Sequence, residues 1–130
     1  MRVNHMNLNK DKRFDIDLQY GVIFEQQLLD MFQNSKVEVK SERNIWTKTQ
    51  NIVIEYESRG KPSGIATTES EYWFHNLVKD DVLKCSICFP VAQLKEYIKK
   101  TNPRSVSGGD NMTSKLYLIN LQDLFKNIGE

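Results

Sequence analysis

From Leu18 the chain takes on a helical rhythm. Phe24, Leu28, Met31 and Phe32 recur at helical spacing, and Ile23 and Leu29 widen the stripe. The spacing predicts an amphipathic helix of about four turns that ends near Asn34–Ser35. The period then drops to two. In Lys36-Val37-Glu38-Val39-Lys40-Ser41-Glu42, Val37 and Val39 take one face, and Glu38, Lys40 and Glu42 take the other. Residues 43–50 are a polar connection. Asn51 to Glu57 reads as a buried strand, with Ile52, Ile54 and Tyr56 on one face and Val53, Glu55 and Glu57 on the other. The two strands are expected to pair as a β-hairpin with a medium loop.

Residues 58–64, Ser-Arg-Gly-Lys-Pro-Ser-Gly, form a basic loop rich in turn formers. Thr67 or Thr68 is suited to cap a short helical turn after it. Glu71–Val78 and Val82–Phe89 read as two more strands, turned at Lys79-Asp80-Asp81 and stopped by Pro90. Val91 to Lys100 fits a helix with Val91, Leu94, Tyr97 and Ile98 on one stripe and Lys99-Lys100 favourably placed at its C-terminal end. Residues 101–114 read as a loop, Lys115–Asn120 as a last strand and Leu121–Ile128 as a last helix. The order is α-β-β-(short α)-β-β-α-β-α. It predicts an α/β protein with a flexible arm over residues 1–17 and one domain over residues 18–130.

Composition narrows the classes. The 130 residues include 18 Lys or Arg against 17 Asp or Glu, a formal net charge of +1. That balance argues against a histone-like or ribosomal partner, which would show a large basic excess. It leaves room for a nuclease, whose cleft carboxylates offset the basic residues that hold phosphates. No apolar run approaches the ~18 residues of a membrane span, and the polar start lacks the apolar core of a signal peptide, so no membrane partner is expected. The two cysteines are expected to stay reduced in a cytoplasm, that of a host cell if the chain is phage-encoded.

The strongest chemical feature is the carboxylate set. Glu55 and Glu57 are two apart on one strand and are expected on one face, and Glu42 ends the preceding strand on its polar face. In a hairpin the three would lie close together. Close carboxylates repel one another unless a cation joins them, and a hard divalent ion with oxygen ligands is the natural solution. A solvated outer face is the plainer reading of the same spacing. The run Ile52-Val53-Ile54 argues for a central strand, and the basic loop that follows is suited to phosphate.

These residues resemble a known family. A helix with Glu25, a strand ending in Glu42, then Ile54-Glu55-Tyr56-Glu57 is similar to the PD-(D/E)XK nuclease superfamily. The longer string from Glu38 to Ile65, with Tyr72-Trp73 further on, looks like small phage-type members. The resemblance covers roughly residues 18–78. It implies a restriction-endonuclease-like core, a central mixed β-sheet flanked by helices. It implies a hydrolase, an endo- or exodeoxyribonuclease that uses Mg²⁺, with Mn²⁺ as a substitute, to cleave DNA phosphodiesters. Glu42 and Glu55 would match the two motif acids and bind the metal with the carbonyl of Tyr56, and Glu25 would match the helix acid that supports it. The metal would activate a water for in-line attack and neutralise charge on the leaving oxygen.

Two positions depart from the pattern. Glu42 stands where the family usually has Asp, and Glu57 where it usually has Lys. Lys40, on the face of Glu42, is expected to supply the missing cation if the hairpin register sets it opposite Glu55; Lys61 is the other candidate. Arg59, Lys61, Ser63, Thr67 and Thr68 are the candidate DNA contacts. Many enzymes of this fold dimerise, so a homodimer is an open expectation. The alternative function is a non-catalytic nuclease-fold module that binds DNA or a protein partner.

Weaker signals read as structure. Cys85-Ser86-Ile87-Cys88 has no second pair, and residues three apart on a strand face opposite ways, so buried free thiols are expected rather than zinc. His75 falls inside a strand, where a core or surface role is expected. Core packing is expected for one of Tyr72 and Trp73, and Gly108-Gly109-Asp110 reads as a turn.

Overall fold

The computed structural model describes residues 12–130. Helix α1 spans Lys12–Asn34 and forms a unit of its own; residues from Lys36 to Glu130 form a second. The expected arm falls mostly outside the described residues, but from Lys12 onward its sequence is helical, so the helix starts earlier than the apolar stripe suggests. No described helix is long and apolar enough to cross a membrane.

The second unit has mixed α/β architecture. Its elements are β1 (Val37–Arg43), α2 (Trp46–Thr49), β2 (Asn51–Ser58), β3 (Lys61–Pro62), β4 (Tyr72–Lys79), β5 (Val82–Pro90), α3 (Val91–Thr101), β6 (Arg104–Gly108), β7 (Ser114–Asn120) and α4 (Leu121–Asn127). They build two sheets rather than one. A mixed sheet runs β1-β4-β5, with β1 and β4 parallel, and an antiparallel sheet runs β3-β2-β7-β6. Strand β6 and the one-turn helix α2 lie where the sequence reads as loop. Short polar strands such as Arg104–Gly108 have little apolar alternation to betray them; β6 is held by its ladder to β7.

The expected hairpin between β1 and β2 does not form. Strand β1 finds its ladder in β4, with Val37 opposite Tyr72 through to Arg43 opposite Val78. Two contacts peel the chain away after β1. The Asn44 amide and the Trp46 indole N–H both donate to the Val78 carbonyl, at 2.9 and 2.8 Å. These bonds satisfy groups that a hairpin would have left to solvent.

The hairpin β4–β5 forms as expected, and Asp80 and Asp81 both take positive φ, as a two-residue turn of primed type requires. Helix α3 buries the stripe Val91, Leu94, Tyr97 and Ile98. It does so against Ile52, Ile54 and Ile119 of one sheet and Trp73, Leu77 and Phe89 of the other, in one continuous core. The Asn120 side chain caps α4 by accepting the Asp123 amide at 3.1 Å.

Candidate functional site

Strand β1 is turned inside out relative to its apolar pattern. Cross-strand partners share a face, and Glu38, Lys40 and Glu42 lie opposite Trp73, His75 and Leu77, the three buried residues of β4. The Glu38 and Glu42 side chains are thereby partly buried, whereas Lys40 stays exposed, and Val39 on the opposite face is 57% exposed. Exposing a valine to bring carboxylates in costs stability, so the acids need partners.

Glu42 has them. Its side chain is only 16% exposed. Oε1 accepts the Val53 amide of β2 at 2.6 Å and lies 2.9 Å from His75 Nε2. The Trp73 indole N–H donates to His75 Nδ1 at 3.1 Å, which leaves the ring proton on Nε2, aimed at Glu42. The result is a buried chain from Trp73 through His75 and Glu42 to the backbone of the other sheet. One bond from a β1 side chain to the β2 backbone thus replaces the ladder that was expected.

Glu55 lies two residues from Val53 and, by alternation, on the same face of β2. Its Oε2 accepts the Ser63 hydroxyl at 3.0 Å. The chain between β3 and β4 then makes a single 3-10 turn at Gly64–Ala66 and reaches β1, where the Thr68 hydroxyl donates to Glu38 Oε1 at 3.3 Å. This loop spans from Glu55 to Glu38, and Lys40 sits between Glu38 and Glu42 on β1. Lys40 Nζ is 3.8 Å from Glu38 Oε2.

Gly64 explains part of the loop's sequence. Its φ is +52°, and a Cβ there would fall 2.1 Å from the Glu55 carbonyl oxygen. Only glycine allows the loop to press onto the strand that carries Glu55.

Several expected site residues of the second unit lie elsewhere. The ladder between β2 and β7 slips at Tyr56, a bulge: Glu55 is opposite Leu116, and Glu57 is opposite Lys115. The slip turns Glu57 to the other face, where it forms an ion pair with Lys115 at 3.4 Å. Glu55 and Glu57 therefore do not share a face, as strict alternation predicts. The Tyr56 carbonyl accepts the Ser63 amide at 3.1 Å. Lys40 has no hairpin register with Glu55, since β1 pairs with β4, although it does share the face of Glu42. Lys61 pairs with Ser58 across the turn Arg59-Gly60, and Arg59 and Lys61 are both exposed. Glu25 is exposed on α1, in the other unit. Thr67 follows the 3-10 turn rather than starting it, and Thr68 accepts the Ser70 amide, so neither threonine is an N-cap. Both cysteines are exposed rather than buried, and neither forms a disulfide. Among the described residues, no group of three or more His, Cys, Asp or Glu side chains is arranged to hold a metal ion.

Two participants were missed in the sequence. His75 occupies an inward slot of the alternation Trp73-x-His75-x-Leu77, and a polar residue at such a slot is the signal that was available. Glu38 was legible only as part of a polar face. In comparisons with family models, curated proteins and solved structures, nothing matched this chain.

Proposed function

We propose that the unit from Lys36 onward is a Mg²⁺-dependent nuclease that hydrolyses DNA phosphodiester bonds, with Glu42 and Glu55 as its acids. One observation carries this reading. Glu42 is drawn inward from the charged face of β1 and is tethered to β2 two residues from Glu55. A merely solvated face would have been turned out. The donor set suits the ion: Mg²⁺ takes hard oxygen ligands, commonly one or two carboxylates, with waters and substrate phosphate completing the shell. When bound, it would supply Lewis-acid charge for phosphoryl chemistry. His75 holds Glu42 in place, Ser63 holds Glu55, and Lys40 on the Glu42 face is the cation nearest in sequence and strand face to replace the lysine absent at position 57. Exposed Arg59 and Lys61 would contact the DNA backbone.

The test is incubation of supercoiled, linear and branched DNA with the protein in Mg²⁺, Mn²⁺ or EDTA. Cleavage should need the metal and should fall by about a hundredfold or more in Glu42→Gln and Glu55→Gln. Metal-independent cleavage, or full activity in Glu55→Gln, would overturn the reading.

A second reading is a non-catalytic nuclease-fold module that binds DNA or a protein. It is favoured by the engagement of Glu42 Oε1 in two hydrogen bonds and of Glu57 with Lys115. Absence of cleavage on every DNA, with DNA binding retained, would select it.

A further inference from the structure

The other face of β2 carries a feature that the nuclease reading does not use. After the bulge, the ring of Tyr56 stacks on that of Tyr117, with centroids 4.3 Å apart and planes inclined by 26°. The Tyr56 hydroxyl is pinned to the Ser105 hydroxyl at 2.6 Å. The two rings border a cavity of about 490 Å³ whose lining also includes Ile65 and Ile98 and the exposed Lys95 and Lys99 of α3. That volume lies within the range of small-molecule sites, about 300–1,000 Å³.

The lysines are the telling part. Residues four apart on a helix share a face, and a like-charged pair there repels. Neither ammonium takes part in a salt bridge among the described residues, and no carboxylate lines the cavity. The helix C-terminus nearby carries only about half a negative charge, so the two cations leave a net positive wall. An aromatic platform and a paired cationic wall on one cavity fit a planar ring that bears an anion. An anion alone would leave the rings unused, and an uncharged ring would leave the lysines unused.

We propose that this cavity is a nucleotide-binding site, with a nucleobase stacked on the Tyr56–Tyr117 pair and its phosphate held by Lys95 and Lys99. Stacking on an aromatic side chain tolerates any base, so the site would select for nucleotide rather than for sequence. Ser63 contacts Glu55, while Ile65 and Ala66 of the same loop line the cavity, so one loop borders both the cavity and the Glu55 carboxylate.

The test is calorimetric titration of the full chain in EDTA with dTMP, thymidine and inorganic phosphate, repeated with an oligothymidylate of about eight nucleotides. The dTMP should bind at least about fivefold more tightly than thymidine or phosphate, because each of these lacks half of the ligand. The double variant Lys95→Gln/Lys99→Gln, altered only at exposed positions, should lose at least about fivefold in dTMP affinity with an unchanged thermal midpoint. Tighter binding of the oligonucleotide than of dTMP places the nucleotide within a strand; equal binding makes it free or terminal. No binding of dTMP, equal binding of phosphate, or no effect of the double variant would overturn the proposal. None of these outcomes depends on metal or cleavage, so the result stands apart from the nuclease assay.

Discussion

His75 Nε2 lies 2.9 Å from Glu42 Oε1, and the ring's other nitrogen accepts the Trp73 indole N–H. This pairing sets the orientation of the acid that links the two sheets. His75→Phe keeps a ring of similar size but leaves the Glu42 oxygen and the Trp73 donor one partner short. It should cost about 2–4 kcal/mol in urea unfolding. A change under about 0.5 kcal/mol would show that the pairing carries no weight.

Gly64 should tolerate no side chain. In Gly64→Ala the Cβ would meet the Glu55 carbonyl at 2.1 Å, and the backbone would be held at φ +52°. A loss of about 3 kcal/mol or more is expected, read as a lowered thermal midpoint and as loss of whatever Glu55 does. A fold as stable as the parent would mean that the loop readily lifts off β2.

Glu57 is set apart from Glu55 by the bulge at Tyr56. Its partner is Lys115 on a half-exposed surface, a kind of pair worth about 0–1 kcal/mol. Under the proposed function, Glu57→Gln should therefore leave stability nearly unchanged and cleavage within about twofold of the parent, whereas Glu55→Gln should lower cleavage by about a hundredfold or more. Equal losses in the two variants would return Glu57 to the active centre.

Arg59 and Lys61 flank the tip of the β2–β3 turn and are exposed. Replacing both with Ala should weaken DNA binding evenly across sequences and reduce the salt slope by about one to two units. An unchanged slope would place them off the DNA path.

Tyr97 supplies an alkaline signature. Its hydroxyl donates to the Asp123 carboxylate, and burial together with that acid pushes its pKa up to about 12. The unfolded chain ionises this phenol near pH 10. Its contribution is thus fully present below pH 10 and is lost as the pH rises toward 12. Tyr97→Phe should flatten the fall in stability by roughly 1 kcal/mol between about pH 9 and about pH 11, measured against the parent by urea unfolding. Parallel pH curves for the two proteins would contradict it.

The elements legible in the sequence are those whose burial follows a simple period. The stripe of α3, the strands around Trp73 and Ile119, and the Asp80-Asp81 turn each announce themselves, because local propensity and burial agree there. The acids Glu42 and Glu55 were legible as chemistry for the same reason that they stand out: charge beside an apolar run. Periodicity could not say which face of β1 looks inward. Its valines argued for one face, and His75, Trp73 and the β4 ladder imposed the other, because a strand follows its hydrogen-bonded partner and the partner is chosen by tertiary packing. Nor could it locate the bulge at Tyr56, since alternation is the same for any register until a partner strand is named. The residue types available to a site were determined by the sequence itself. Which of them meet was decided by pairing across 30 or more residues, as in His75 and Glu42, 33 apart in the chain.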